Sequence, residues 1–318
     1  MADSRVALTR CGDYEPVKVA EAVARQFALL GGVERFVKRG DRVLVKPNFI
    51  SPRSHRHATQ THPAVIVEVA RLLKDFGARP FVGDSSAWAN ALVCAKALRL
   101  EEPLKALGVP IRTLGRPRWR RIGEDGTYVG LSRVALDADV IINLPKFKSH
   151  QQLRATFAVK NMFGCVTGKW KPVWHLIRGG DAGRFCRLLI DIYRYMNPAV
   201  TIIDGVMAMD GRGPIRGRTR PLGWLIGGVD PIACERVCCE LIGAGPELMP
   251  IIRTAGEIGF GCADMERIEV VGDDIGEAVC RDFELPELAP IRFSLYHVFR
   301  SVCKQVVLVA KSMVGRGQ

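Results

Sequence analysis

The sequence lacks any uninterrupted apolar run of roughly 18 residues, so no segment reads as a membrane-spanning helix. Its opening residues, MADSRVALTRC, hold no apolar stretch of the kind a secretory signal needs, and this points to a cytoplasmic setting. Cysteine is present ten times, but Cys238 and Cys239 are adjacent and the others are scattered without a small-domain disulfide framework, so they read as reduced thiols. Also missing are a GxGxxG directly after a strand, a GxxxxGKS/T phosphate loop, a CxxCxxC run and paired CxxC units. Tightly bound NAD and ATP therefore have no motif support. The cofactor stays open, with an iron–sulfur cluster or a divalent metal as the candidates.

What is present is an ordinary globular composition with a strong basic bias. The 318 residues are 48% hydrophobic and 25% charged, with a formal net charge of +13. Such a field attracts anions, whether small phosphates and carboxylates, acidic partners or an anionic membrane surface. Two basic stretches are local, RTLGRPRWRR from Arg112 and RGPIRGRTR from Arg212. Neither lies in a helix-turn-helix, zinc finger or RNA-recognition module, which argues against sequence-specific nucleic-acid binding.

Short apolar runs alternate with longer segments of helical period. A strand over Val6–Thr9, a helix over Val17–Leu30 and a strand RVLVKPN come first. THPAVIVEVARLLKDFG then reads as a helix with Pro63 in its first turn, Thr61 as its cap and Gly77 beyond its end. A strand RPFVGDSS and a helix over Ala87–Leu98 follow, and an edge strand and hairpin are expected over Pro110–Val129. Val140–Leu144 reads as a buried strand opening into a polar loop, and AVTIIDG as a strand ending at Asp204 and Gly205. A strand over Leu222–Gly228, helices from Asp230 to Glu240 and from Leu248 to Ala255, and a strand IEVVG complete the pattern. The expected fold is α/β, a mostly parallel, doubly wound-like sheet with helices on both faces. It is expected over residues 1–272, as one unit or as two lobes meeting near 110–135, with residues 273–318 as a C-terminal extension. Within that extension, 293–313 reads as a basic apolar helix suited to the core, a second subunit or an anionic membrane surface.

Working residues of doubly wound sheets lie beyond the carboxyl ends of the strands. There Lys46 and Asn48 can bind a carboxylate or phosphate, and Asp84 and Ser85 can orient a base, meet a metal or simply cap a helix. The densest cluster is Lys146, Lys148 and His150. Its two ammonium groups can neutralise one anion while the imidazole moves a proton, and the paired lysines can depress each other's pKa. Lys160 and Asn161 can return to the same crevice, with Asn161 and Gly164 able to end a helix. Asp204 is a candidate acid–base group. Cys165, Cys234, Cys238, Cys239 and Asp210 are the weak metal candidates, and the three helical cysteines are better explained as core.

VLVKPNF, THPAVIVEVARLLKDFG, GDSS, ADVIINLPKFKSH, AVKNMFG, IIDGVMAMDGRGP and GGVDPIACE, in that order, resemble the family described as a domain of unknown function, DUF362. The resemblance runs from about Val6 to Gly272 and places Lys46, Asn48, Asp84, Lys146, Lys148, His150, Lys160, Asn161, Asp204, Gly211, Asp230 and Pro231 in family phrases. It implies a prokaryotic α/β domain, often iron–sulfur-associated because many members carry an added ferredoxin-like cysteine segment. This chain has no such segment after Gly272.

Together these features point to an enzyme acting on a small or medium anionic substrate. The resemblance tilts the reading toward an oxidoreductase using an exchangeable cofactor or redox partner. Two alternatives stand beside it: a non-redox acid–base or metal-assisted isomerase or transferase, and a non-enzymatic protein that binds an anionic cofactor or acidic partner. A homo-oligomer or a peripheral contact at the inner membrane surface through 293–313 is the expected assembly.

Overall fold

A computed structural model describes residues 3–86, 89–167 and 170–291. The helix expected over 293–313 lies outside the described residues. Runs rich in Val, Ile and Leu form strands buried on both faces, which is the environment of a sheet covered by helices on each side. The first half of the chain supplies β1 (Ser4–Arg10), α1 (Pro16–Leu29), β2 (Arg42–Pro47), α2 (Pro63–Phe76), β3 (Arg79–Asp84), α3 (Ala91–Ala97), α4 (Glu101–Ala106) and β4 (Ile111–Thr113). A hairpin of β5 (Pro117–Ile122) and β6 (Thr127–Ser132) stands apart as its own two-stranded sheet, followed by α5 (Arg133–Leu136). The second half adds β7 (Val140–Leu144), β8 (Lys146–His150), β9 (Arg154–Thr156), α6 (Ala158–Asn161), α7 (Lys171–Arg178), α8 (Ala182–Met196), β10 (Val200–Asp210), β11 (Arg218–Gly228), α9 (Pro231–Leu241), α10 (Pro250–Glu257) and β12 (Ile268–Gly272).

The main sheet runs β12-β1-β11-β10-β7-β2-β3-β4, with β8 and β9 attached through β10. Strands β10, β7, β2, β3 and β4 are mutually parallel, and β11 is antiparallel to both of its neighbours. From β2 the chain builds outward to β3 and β4, then returns to place β7 on the other side of β2. The strand order therefore reverses between β2 and β7, which is where a doubly wound sheet opens its crevice. Helices cover both faces as expected. Val23 and Phe27 of α1, Val69 and Leu73 of α2 and Leu104 of α4 share one apolar core, whereas Leu189 of α8, Ile232 and Val237 of α9 and Ile251 of α10 share the other.

The local differences from the sequence reading have identifiable causes. Helix α2 is capped by His62, whose Nδ1 accepts the Ala64 amide, while Thr61 instead accepts from the Asn48 amide and donates to the Leu144 carbonyl. Helix α3 starts at Ala91, where the Asn90 side chain caps the Val93 amide, and the first two residues of the helix expected over 87–98 lie outside the described residues. The expected loop at Lys146–His150 is a buried strand. Pairing of β7 with β2 stops at Leu144, and after Pro145 the chain continues as β8 against β10 and β9. Strand β10 likewise runs past Asp204 to Asp210, because β11 pairs with it across a bulge.

Candidate active site

Residues from three strands and two helices converge at the reversal point. Lys46 ends β2, Asp84 ends β3, Lys148 and His150 alternate on one face of β8, and Lys160 and Lys171 come from α6 and α7. Asp84, Lys148, His150, Lys160 and Lys171 line a cavity of about 100 Å³ with Asn48, Ser85, Thr156, Asn161, Phe163 and Gly164, and Lys46 adjoins it through Asp84. A larger surface cleft of about 530 Å³ lies between the β5–β6 turn and α8. Its Arg178 and Arg187 pair with Asp125, Glu124 and Asp191, so its charge is internally balanced.

The small cavity is not balanced. Lys46 Nζ meets Asp84 Oδ1 at 2.9 Å in a fully buried pair. Asp84 also accepts the amides of Phe49 and Ser85, each at 2.7 Å, so it fixes two loops and has no free role as a base. Gly164 permits this approach: a Cβ there would overlap Asp84 Oδ1 and stand 2.6 Å from Lys46 Nζ. The expected helix-ending role of Gly164 is thus replaced by close packing, and Asn161 is likewise a connector. Its Nδ2 donates to the Lys46 carbonyl and to Asn143 Oδ1, and its Oδ1 accepts from Asn48 Nδ2 at 2.9 Å. Asn48 Oδ1 in turn accepts from Lys148 Nζ at 2.5 Å, and the Thr59 carbonyl accepts a second bond from the same ammonium at 2.6 Å. Lys171 donates to the Ser85 carbonyl.

Among the described residues no carboxylate lies within ion-pair distance of Lys148, Lys160 or Lys171. Uncompensated burial of an ammonium lowers its pKa. Desolvation, reinforced by Lys160 and Lys146, holds Lys148 well below the usual lysine range. Lys171 falls from 10.5 to about 8 through desolvation, which the nearby Asp84 only partly offsets. Lys160 is half-buried by accessibility, yet the surrounding protein desolvates it enough, with Lys171 adding repulsion, to lower it to about 8. His150 is held neutral by burial and by Lys160 and Lys148. Its Nδ1 accepts the Gln152 amide at 3.1 Å, which leaves the imidazole proton on Nε2. His150 therefore offers a hydrogen bond, and the groups able to exchange a proton near neutral pH are Lys160 and Lys171.

Lys146 and Asp204 do not join this cavity. They pair with each other at 2.7 Å, fully buried, and Tyr14 OH donates to Asp204 Oδ1 while accepting from Lys146 Nζ, each at 2.7 Å. The His62 amide adds a bond to Asp204 Oδ2, and the His62 ring stacks on Tyr14 with centroids 3.4 Å apart. A carboxylate satisfied so completely anchors the middle of β10 to the start of β8 and is not a free acid or base. Asp210 is similarly taken up by Arg218 and Arg220. Cys234, Cys238 and Cys239 point into the core from α9, Cys165 is buried with its thiol pushed up to about 12, and no three His, Cys, Asp or Glu side chains among the described residues are grouped to hold a metal.

Sequence reasoning missed Lys171 and Tyr14. GKWKP reads as a basic turn, and nothing in it signals burial. Tyr14 had a usable signal, because Asp13 and Tyr14 follow the carboxyl end of β1.

The model for a domain of unknown function (DUF362) matches residues 43–240. The chain is 37% identical over 300 residues to a thylakoid-associated protein of Synechocystis sp., covering 94% of this chain and 93% of that one. Among solved structures, the lactate racemase apoprotein of Thermoanaerobacterium thermosaccharolyticum superposes with a TM-score of 0.48 at 12% identity. That superposition covers 74% of this chain and 57% of the racemase. No helix among the described residues is long and apolar enough to cross a membrane.

Proposed function

The chain belongs to the DUF362 family, and we propose that it is an enzyme which binds a small anion at the β2–β7 reversal and carries out proton-transfer chemistry on it. The observation that carries this reading is the set of three buried or half-buried lysines, Lys148, Lys160 and Lys171, facing one cavity without a carboxylate partner. Isolated buried charge is costly, so a fold that keeps three such groups together is built for a ligand of the opposite sign. Their fixed positions would also stabilise negative charge that develops on the substrate, with His150 Nε2–H as a further donor. Lys160 or Lys171, lowered to about 8, can take or give a proton near neutral pH. Lys46, Asp84, Asn48 and Asn161 act by holding these groups in place.

An oxidoreductase would use the same pocket and needs a diffusible cofactor or redox partner to carry electrons. The relative's thylakoid association fits a peripheral membrane location for this chain.

A thermal-shift panel of phosphate, sulfate, pyrophosphate and small carboxylates at low ionic strength tests the binding claim. At least one anion should raise the melting temperature of the native chain and fail to raise that of Lys148→Met. A flat response across the panel would sink the reading. For an anion with carbon-bound hydrogen, enzyme-dependent incorporation of solvent deuterium supports proton transfer. Its absence, with reduction of an added dye, favours the redox reading.

A further inference from the structure

We propose that the outer face of the β5–β6 hairpin, with the adjoining face of α7, docks on a membrane surface bearing acidic phospholipid headgroups. The strand register decides which side chains face out. Trp119 is opposite Gly130 and Arg121 is opposite Tyr128, on the face away from the buried Ile122, Val129 and Leu131. Trp119 and Tyr128 are 41% and 56% exposed, and Trp170 at the start of α7 is 38% exposed and packs edge-to-face on Trp119 at 4.8 Å. Ile177, 60% exposed, lies two helical turns beyond Trp170 and so on the same side of α7. Two tryptophans, a tyrosine and an isoleucine are thus gathered on one solvent-facing patch, an arrangement that singly scattered surface apolar residues do not produce.

The surrounding charge selects the occupant. Six arginines and two acids lie between Arg112 and Arg133. Both acids are engaged elsewhere, Glu124 by Arg187 and Asp125 by Arg178. Arg116 and Arg121 are exposed and have no carboxylate partner among the described residues, and Arg121 is held over the Tyr128 ring at 5.4 Å. Amphipathic aromatic rings ringed by unpaired guanidinium groups match the headgroup region of an anionic bilayer, where rings enter the interface and arginines reach phosphates. A nucleic acid fits less well. The edge-to-face tryptophan pair covers a ring face that a base would need for stacking. This inference does not depend on the anion cavity, although Trp170 directly precedes the cavity lysine Lys171.

The test is co-sedimentation of the full chain with vesicles of phosphatidylcholine alone and of about three parts phosphatidylcholine to one part phosphatidylglycerol. Binding should require the acidic lipid and weaken with salt. Both W119S/W170S and R116Q/R121Q should lower partitioning about tenfold. Tryptophan quenching by brominated lipid should be strong in the native chain and much reduced in W119F/W170F, whose conservative rings keep the fold. Undiminished partitioning and quenching in these variants would assign membrane contact to another part of the chain and overturn the proposal. Binding to single-stranded RNA with none to acidic vesicles would overturn it equally.

Discussion

Replacing Lys171 by methionine should make the ligand-free protein more stable. The side chain keeps its length and loses its charge, and the structure sets the magnitude. Lowering a lysine from 10.5 to about 8 means that its charged form is about 3 kcal/mol less favourable in the folded protein than in the unfolded one. The substitution also removes the hydrogen bond to the Ser85 carbonyl, worth about 1 kcal/mol. The net gain near neutral pH is about 2 kcal/mol. With an m-value of about 3 kcal/mol/M this moves the urea midpoint up by about 0.7 M. The pH dependence follows from the sign of the shift. Below about 8 both folded and unfolded chains hold the proton and the penalty is complete. Above that pH the folded chain loses its proton first, and the penalty fades until the unfolded chain also deprotonates near 10.5. The methionine variant should therefore be clearly more stable at neutral pH and, with only the lost hydrogen bond remaining, less stable than the native chain by up to about 1 kcal/mol near 10.5. A midpoint that falls at neutral pH, or an offset that is the same at both, would show that the Lys171 charge is compensated within the fold.

Other consequences can be checked with the same preparations. Anion affinity should fall as pH rises through about 8, where Lys160 and Lys171 lose their charge, and calorimetric titration across that range measures it. Gly164→Ala places a methyl group against Asp84 and Lys46, and should cost about 2 kcal/mol in urea unfolding and weaken anion binding. Asp204→Asn leaves Lys146 buried without its counter-charge, and should destabilise the chain by about 3 kcal/mol or more in thermal or urea unfolding.

The parallel sheet, its helical cover and the strand ends near Lys46 and Asp84 were legible because hydrophobic period and turn residues are local signals, whereas Lys146–His150 read as a loop and forms β8. The separation of Lys146 from Lys148 was not legible. They are two apart on one strand, yet one faces Asp204 and Tyr14 while the other faces Asn48, and only the tertiary arrangement of β10, α2 and β2 decides this. The role of His150 as a hydrogen-bond donor rests on a single backbone contact from Gln152, which composition cannot reveal. Lys171 was invisible for a related reason: its burial depends on α7 folding over the ends of β2 and β3. Asp84 and Ser85 read equally well as helix cap or site, and the Lys46 ion pair decided their role.

An anion held jointly by Lys148, Lys160 and Lys171 would be visible directly. The most direct measurement is a crystal structure of the full chain with tungstate, a heavy tetrahedral oxyanion whose anomalous signal locates it independently of phases from the protein. A strong peak is expected in the cavity within hydrogen-bond distance of the three ammonium groups and His150 Nε2. An empty cavity at a concentration that populates surface arginines would contradict it.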